Sequence, residues 1–331
     1  MIPDVAVSSH VLTGAEALNQ ALIEEMERDP NVFLMGEDIG IHGGAFKVTK
    51  GLIGRFGPDR VRDTPISEEA FVGAAIGAAM VGMRPVVEVM YVDFITLAMD
   101  AIINQAAKLH YMFGGGVNVP LVIRTQGGGG RGNAGQHSQS LEALFYHIPG
   151  LKVCMPSCPK DAKGLLKAAI RDDNPVIFIE HKLLYFQKGE VPEGEFVVEL
   201  GKADIKRAGK DLTIIATSNM VPLALNCADD LAIEGIECEV IDPRTLVPLD
   251  IETLLQSVMK THRVVIVQEA VRRGGVASDI AAELSERAFD YLDGPIKRVT
   301  SLNGVVPYAR ELEQTFLPNK EKVKAAVHEL I

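Results

Sequence analysis

Residues 64–94 read TPISEEAFVGAAIGAAMVGMRPVVEVMYVDF, and they join a helix of small residues to a buried strand. Ser67 is a suitable N-cap, and Glu68 and Glu69 suit the positive end of a helix dipole, so a helix is predicted over 68–83. The run 85–90 is apolar without alternation. Such a strand is typical of a parallel sheet that is covered on both faces.

The same alternation of helix and strand continues on both sides of this stretch. Further predicted elements of the first half are a helix over 13–28, strands over 32–38 and 61–66, a long amphipathic helix over 93–112, strands over 119–125 and 151–156, a helix over 162–171 and a strand over 175–180. Residues 189–200 carry Gly, Pro and Glu and break the pattern, which indicates a linker. Strands over 212–217, 237–242 and 263–270 follow, each with a helix. We therefore predict an α/β protein of two doubly wound domains, 1–188 and 201–331.

Composition limits the class of protein. The chain has 331 residues, of which 47% are hydrophobic and 23% charged, with a net charge of −11. This balance is that of a globular protein, and the acidic charge argues against a nucleic-acid surface. No apolar run reaches the roughly 18 residues of a membrane span, and no secretory leader is evident. We expect a cytoplasmic chain, or one of an organelle matrix if a transit peptide was removed.

The four cysteines, Cys154, Cys158, Cys227 and Cys238, lack metal-binding spacings. No His stands beside them at a distance typical of zinc sites, and they fall in apolar helix or strand patterns. Reduced, buried thiols are therefore predicted.

A glycine-rich segment, GGGGRG at 127–132, fits the spacing of a dinucleotide-binding loop. Such a loop must open a helix and be followed by an acid about 20 residues on, and neither feature is present. We expect instead a mobile loop at the mouth of an active site, because its end carries His137. That histidine is either a loop residue bonded to the backbone or an acid–base group near a reacting centre.

Two alternatives also stand for the helix that begins near Ser67. Glu68 and Glu69 are fully explained as acids that stabilise a helix start. Gly73 and Gly77 lie one turn apart on one face and allow another backbone to come close. They pack either against another helix or subunit, or against the domain's own sheet.

Several motifs, in order along nearly the whole chain, resemble one family. They include LMGEDIG (34–40), DTPISE (63–68) with Gly73 and Gly77 behind it, GQHSQS (135–140) and IECEVIDPRTLVPLD (236–250). This pattern resembles the β subunit of the first, decarboxylating component of 2-oxo-acid dehydrogenase complexes. The family comprises pyruvate, branched-chain 2-oxo-acid and acetoin dehydrogenases. YMFGG (111–115) and GEVPEG (189–194) look closest to the pyruvate and acetoin types.

The resemblance implies a transketolase-like fold and a role for several residues. The family's cofactor is thiamine diphosphate, and its N-terminal domain holds the pyrimidine. Glu68 matches the carboxylate that bonds to ring N1′ and shifts the 4′-amino group towards the tautomer that accepts the C2 proton. Met90 and Phe94 match residues that pack against the pyrimidine, and Glu37 lies nearby. His137 matches the histidine that faces the bound intermediate and helps to hand the acyl group to lipoamide.

The resemblance also implies partners. The chain has no Gly-Asp-Gly motif for the Mg²⁺ that holds the diphosphate. Magnesium and half of the cofactor site would therefore come from an α subunit, in an α2β2 heterotetramer that meets the lipoyl and subunit-binding domains of an acyltransferase. A potassium site of the family, built largely of main-chain oxygens, matches Leu121, Ala169, Ile170, Asp172 and Asn174.

The function expected from this resemblance is oxidative decarboxylation of a 2-oxo acid with acyl transfer to a lipoyl group, as in pyruvate dehydrogenase. An acetoin or a branched-chain 2-oxo-acid dehydrogenase β subunit is the alternative within the family. Outside it stands a non-catalytic scaffold subunit, which is disfavoured because both Glu68 and His137 are present.

Overall fold

The computed structural model describes residues 9–331, whose strands form two mainly parallel sheets and a two-stranded ribbon. The polar N-terminal stretch at which the first predicted domain begins, residues 1–8, lies outside the described residues. Within 9–331 the strands are β1 (Ser9–Thr13), β2 (Val32–Gly36), β3 (Val61–Asp63), β4 (Arg84–Val89), β5 (Val122–Gly127), β6 (Lys152–Cys154), β7 (Val176–His181), β8 (Lys188–Pro192), β9 (Asp204–Arg207), β10 (Leu212–Ala216), β11 (Cys238–Asp242), β12 (Thr245–Val247), β13 (Val264–Val271) and β14 (Lys297–Ser301). The α-helices of the same range are α1 (Gly14–Arg28), α2 (Leu52–Phe56), α3 (Glu68–Met80), α4 (Leu109–Met112), α5 (Glu142–Tyr146), α6 (Pro159–Arg171), α7 (Met220–Ile233), α8 (Ile251–Thr261), α9 (Val276–Arg287), α10 (Arg310–Phe316) and α11 (Lys320–His328).

The first sheet has seven strands in the order β12-β6-β7-β5-β4-β2-β3. The six strands from β2 to β7 are parallel, and β12 pairs antiparallel with β6 at the edge. Val86 and Val122 stand side by side and pack towards α1 and α6. The next pair, Val87 and Ile123, packs towards α3 on the other face. Because successive strand residues face opposite sides, both layers of helices require apolar residues without alternation, as the sequence has.

The second sheet has five strands in the order β14-β13-β10-β11-β9. Its strands β10, β11, β13 and β14 run parallel, and β9 is antiparallel to β11. Helices α7 and α11 cover one face, and α8 and α9 cover the other. The prediction of two doubly wound α/β units is therefore confirmed. Both halves share one apolar cluster, in which Ile123 of the first sheet and Ile215 of the second take part.

The predicted linker, 189–200, is partly regular structure. Residues Lys188–Pro192 form β8, which pairs antiparallel with β1 at the start of the described chain, and Val191 is fully buried there. The ribbon leads directly into α1, whose start is fixed by a capping box. The Thr13 hydroxyl accepts from the Glu16 amide at 3.2 Å, and the Glu16 carboxylate accepts from the Thr13 amide at 2.8 Å. The domain limits 1–188 and 201–331 remain predictions.

The predicted continuous helix over 93–112 is wrong in detail. The segment consists of a 3₁₀ turn at Phe94–Ala98, a π-helical turn at Ala101–Ala106 and the short helix α4. Buried Ile95 and Ala98 are three residues apart in the 3₁₀ turn, which places residues at this spacing on one face, and buried Ala101 begins the π-helical turn. The changes of helical type thus keep these three residues against the core.

The thiols are reduced in this structure. All four cysteines are free, and three are buried, but Cys158 is partly exposed, so the prediction of four buried thiols is wrong for that residue.

No helix among residues 9–331 is long and apolar enough to cross a membrane.

Candidate active site

The sequence-predicted site residues of the first half gather at one edge of the first sheet. Because β2, β3, β4, β5 and β7 are parallel, their carboxyl ends meet at the same edge. The loops that leave these ends carry Glu37, Glu68, Met90, Phe94 and His137.

Two carboxylates lie close together at this edge. Glu68 is the first residue of α3 and is 6% exposed, while Glu37 follows β2 and is half-buried. Burial raises the pKa of Glu37, and the nearby charge of Glu68 raises it further. One carboxylate oxygen of Glu37 is buried without a hydrogen-bond partner, and no donor from residues 9–331 bonds to the Glu68 carboxylate. Glu37 thus presents a buried acceptor without a donor, beside the carboxylate of Glu68, and an external donor can satisfy it.

A strained turn after β4 presents the apolar residues. Tyr91 has a φ of +71°, a conformation that is costly for a residue with a side chain. Its amide donates to the side chain of Gln126 at 3.0 Å, and the amide of the following Val92 donates to the main-chain oxygen of Gln126 at 2.8 Å. This turn places Met90 and Phe94 half-buried at the end of the strand.

A buried ion cluster supports that turn from below. The guanidinium of Arg124, 1% exposed, donates to Glu88 at 2.7 Å and to both oxygens of Glu180 at 2.7 Å. Glu88 in turn accepts from the Gln126 side chain at 3.2 Å. Removing one member would leave an unpaired buried charge, so the cluster fixes the orientation of the strand ends beneath the site.

His137 lies among the aromatic rings of the same edge. Its ring stands edge-on to Tyr91 and to Phe94, with centroid distances of 5.0 and 5.2 Å. The main-chain oxygen of His137 accepts from the ammonium of Lys182, which follows β7 and is fully buried. Lys182 also stands 5.4 Å above the Tyr91 ring. Phe94 and His137, predicted separately, are thus in contact.

Burial lowers the pKa of Lys182 to about 8, although the charges of Asp93 and Glu269 oppose the shift. Asp93 is buried too, and one of its oxygens accepts from the Gln139 side chain at 2.9 Å while the other has no partner. A basic and an acidic side chain near His137 are therefore both shielded from solvent.

The glycine-rich loop, which the sequence predicts to be mobile, is held by carboxylates from the second half of the chain. The amide of Gly129 donates to Glu269 at 2.6 Å, and those of Gly130 and Gly132 donate to Glu313 at 2.8 and 2.9 Å. These amides would have to bind the phosphates of a dinucleotide. Because carboxylates already occupy them, the loop does not bind a nucleotide in this conformation.

The glycines of α3 face outwards. Gly73 and Gly77 are exposed, and a Cβ built on either of them would meet no atom of residues 9–331 within 4 Å. Packing against the domain's own sheet is therefore wrong as an explanation of these glycines. Exposed Ile66 and Val81, both more than 80% accessible, stand at the two ends of the same helix.

The residues matched to a potassium site lie at the opposite edge of the sheet. Leu121 and Asn174 precede β5 and β7, and Ala169, Ile170 and Asp172 lie at the end of α6. The guanidinium of Arg84 donates to the main-chain oxygens of Ile170 and Asp172, both at 3.0 Å. The main-chain oxygens of Ile170 and Asp172 thus lie together, at an edge separate from the one that carries Glu68, and a potassium site there remains a prediction.

Several residues of the site were not predicted from the sequence. Lys182 directly follows β7, and Asp93 stands four residues after the end of β4. Charged residues near the carboxyl ends of buried strands are a usable signal. Tyr91 carries no such signal, because its role depends on a backbone angle. Glu269 and Glu313 come from the second half of the chain, and their contact with the loop appears only in the fold.

Two family models match the chain. Residues 11–188 match the model described as transketolase, pyrimidine binding domain, and residues 201–323 match transketolase, C-terminal domain. A solved structure titled split gene transketolase, inactive beta4 tetramer superimposes with a TM-score of 0.80 and 25% identity over 96% of this chain and 98% of that one. The chain therefore has the transketolase-like fold of thiamine-diphosphate-dependent enzymes.

Similar proteins narrow the class of enzyme to which the chain belongs. The chain is 47% identical to the acetoin:2,6-dichlorophenolindophenol oxidoreductase subunit beta of Bacillus subtilis, over 98% of both chains. It is 48% identical to the 2-oxoisovalerate dehydrogenase subunit beta of the same organism, over 97% of this chain and 98% of that one. It is 47% identical to the mitochondrial pyruvate dehydrogenase E1 component subunit beta-2 of Oryza sativa, over 95% and 85%. The chain belongs to the family of E1 β subunits of 2-oxo-acid and acetoin dehydrogenases, which are oxidoreductase subunits that work with an α subunit.

Proposed function

We propose that this chain supplies the pyrimidine half of a thiamine diphosphate site in a pyruvate dehydrogenase of the acetyl-transferring type. In the reaction, a 2-oxo acid and the disulfide of a lipoyl group give CO₂ and an acyl-dihydrolipoyl thioester. The observation that carries the proposal is the buried Glu68 carboxylate, which has no donor from residues 9–331 and lies beside Glu37.

The residues at this edge fit the aminopyrimidine ring of the cofactor. When bound, thiamine diphosphate supplies the carbon nucleophile of the reaction. Glu68 offers its carboxyl group to ring N1′, and burial, together with the nearby charge of Glu68, raises the pKa of Glu37 and so favours the protonated form of Glu37 beside the ring. Met90 and Phe94 offer apolar surface to the ring faces.

His137 is proposed to act after decarboxylation. Its two ring nitrogens can donate and accept near neutral pH, and its position against Phe94 places it beside the ring that Phe94 would cover. In this position it can protonate or deprotonate the sulfur of a lipoyl group during acyl transfer.

The missing half of the site is assigned to the partner. The chain has no Gly-Asp-Gly motif, so we infer that Mg²⁺ and the diphosphate are held by the α subunit of an α2β2 heterotetramer. The exposed Gly73–Gly77 face of α3 offers a close approach for a helix of another subunit, next to Glu68. The lipoyl and subunit-binding domains of an acyltransferase are the further partners. We place the assembly in the cytoplasm, or in an organelle matrix, as the names of bacterial and mitochondrial relatives suggest.

Potassium is proposed for the oxygen cluster at the opposite edge. Arg84 bonds to two of its carbonyl oxygens, but a carbonyl oxygen has two lone pairs and can also serve a cation. A rise in melting temperature with K⁺ that equal Na⁺ does not reproduce would support this site.

The substrate alternatives are tested with the assembled enzyme. The chain, an α partner and a lipoyl domain are assayed with pyruvate, branched 2-oxo acids and acetoin, and pyruvate is expected to give the highest kcat/KM. Preference for acetoin or a branched acid would favour those family members instead, and no turnover of any of them would favour a scaffold subunit. Calorimetry of the chain without the α partner should show no thiamine diphosphate binding, and tight binding there would contradict the shared site.

A further inference from the structure

The glycine-rich loop has an unusual backbone that brings several amides together. Gly128, Gly130 and Gly132 have φ values of +86°, +89° and +68°, which residues with a side chain rarely adopt. When residues with positive φ alternate with residues of ordinary φ, neighbouring amides turn towards one side and form a concave site for an anion. A Cβ on Gly129 would lie 3.2 Å from a carboxylate oxygen of Glu313, so the loop also approaches that acid closely.

The anion in this concave site belongs to the protein itself. Glu313 is 1% exposed and extends from α10, about 180 residues further along the chain. Its two oxygens accept from Gly130 at 2.8 Å and from Gly132 at 2.9 Å, so each oxygen holds a different amide. Hydrogen bonds to an ionised acceptor are stronger than neutral ones, and a bidentate pair also fixes direction.

The other end of the loop is fastened to the first half. The amide of Gly128 donates to the main-chain oxygen of Gln139 at 2.9 Å, and the Lys182 ammonium holds the His137 oxygen. His137 therefore lies on a closed loop that is attached to both halves of the chain, and the second half holds it through Glu269 and Glu313. The attachment through Glu313 is five residues away from His137, at Gly132.

From this arrangement we propose that Glu313 is a positioning residue for His137, through which the C-terminal half controls acyl transfer in the N-terminal half. The proposal rests on the acyl-transfer role proposed for His137. Glu313 does not touch the reacting atoms. It fixes the loop so that the His137 ring stays against Phe94, and its loss displaces the ring without removing it.

The test compares three variants in the complex assembled with the α partner. Glu313→Gln keeps the size of the side chain but replaces one acceptor oxygen by an amide donor. Glu313→Asp keeps the charge but shortens the side chain by one methylene group. If the Gln variant does not fold, the Asp variant is compared with the wild type in its place. Glu311→Gln is the matched control, because Glu311 is an exposed acid on the same helix.

The first measurement is hydrogen exchange of the loop amides followed by mass spectrometry. In Glu313→Gln, exchange in a peptide that covers 128–133 should accelerate about tenfold or more, since both amides lose their charged acceptor. Glu313→Asp should lie between this variant and the wild type, and Glu311→Gln should not change. Unchanged exchange in Glu313→Gln would overturn the proposal.

The second measurement separates positioning from mere stability. Turnover with a lipoyl domain should fall about 10- to 100-fold in Glu313→Gln, as expected for a displaced catalytic group, while turnover with an artificial electron acceptor should hardly change. A parallel fall of both activities would overturn the positioning role. His137→Ala serves as the reference: if it leaves lipoyl turnover unchanged, the proposed function of His137 fails, whereas the exchange result still reports on the loop.

Discussion

The start of α3 and the glycine-rich loop meet at the same edge of the sheet, yet they differ in how their polar groups are satisfied. At α3, no donor from residues 9–331 bonds to the Glu68 carboxylate, and Gly73 and Gly77 face open space. In the loop, Glu269 and Glu313 hold three glycine amides, and Lys182 holds the carbonyl of His137.

The difference separates what the chain completes alone from what it leaves to a ligand and a partner. Buried polar groups are nearly always paired in folded proteins, so the buried, unpaired oxygen of Glu37, beside Glu68 and the bare face of α3, points to a missing ligand. A loop whose glycine amides are held by carboxylates of the same chain indicates a part that is preorganised before the ligand and the partner bind. The following predictions test this division.

The largest effect is expected from Glu68→Gln. The change keeps the shape of the side chain and most of the helix start, so folding and assembly should survive. If Glu68 bonds to ring N1′, exchange of the cofactor's C2 proton in the assembled complex should slow by up to about 10⁴-fold. If Glu68 only stabilises the helix start, the change costs about 0.3–1 kcal/mol of stability and leaves exchange at the wild-type rate. Glu69→Gln, an exposed neighbour in the same turn, is the control.

His137→Ala should have the next largest effect, and on a different step. Cofactor binding and C2 proton exchange should stay near normal, because the ring supports neither the core nor Glu68. Acyl transfer to lipoamide should slow by about 10²-fold or more, the usual loss for a positioned acid–base group. Equal turnover of lipoamide by variant and wild type would remove His137 from the mechanism.

A third test addresses the bare face of α3. Gly77→Leu adds a side chain where residues 9–331 leave open space, and leucine favours a helix over glycine by up to about 1 kcal/mol. The isolated chain should therefore be as stable as the wild type or more stable, whereas its affinity for the α partner should fall about tenfold or more from overpacking.

The matched control for that change is Gly54→Leu, another exposed helical glycine with open space around its Cβ position, on α2. Thermal melts give the stability of both variants, and sedimentation gives their assembly. If Gly77→Leu assembles as well as Gly54→Leu does, the glycine face is not the contact.

The smallest effect is a pH dependence from Lys182, whose pKa of about 8 lies below its ordinary value of 10.5. Between these values the unfolded chain binds more protons than the folded one, so this group adds stability as pH rises through that window. Over the same rise in pH, the hydrogen bond from Lys182 to the main-chain oxygen of His137 weakens, because a neutral amine is a weaker donor than an ammonium. Lipoamide turnover should fall by less than about tenfold as the pH rises through about 8, and Lys182→Met should not show this decline. If the variant shows the same decline, another titrating group causes it.

Much of the fold could be predicted because strand burial leaves a direct trace in the sequence. The run at 85–90 is apolar throughout, and the sheet that contains it is covered on both faces. The segment 93–112 was harder. Its pattern of small buried residues suits an α-helix in outline, but only the packing reveals the 3₁₀ and π turns.

The site was predictable only where a residue's position could be matched to a family motif. Glu68 and His137 stand in such motifs, and the structure brings their two loops to one edge. Asp93 and Lys182 contribute charge across the fold, and Glu313 bonds to amides that lie far away in sequence. Long-range pairing of this kind has no local pattern, so no reading of single segments finds it.

Strand β12 has a consequence for how the chain can be divided. It comes from beyond the predicted linker, yet it covers the outer edge of β6 in the first sheet. An uncovered strand edge is a template for pairing with another molecule, and the strand that covers the edge of β6 is synthesised about 90 residues after β6. During synthesis the edge of β6 is therefore unpaired until β12 has been made. A fragment that ends at the linker should aggregate rather than fold as an independent unit.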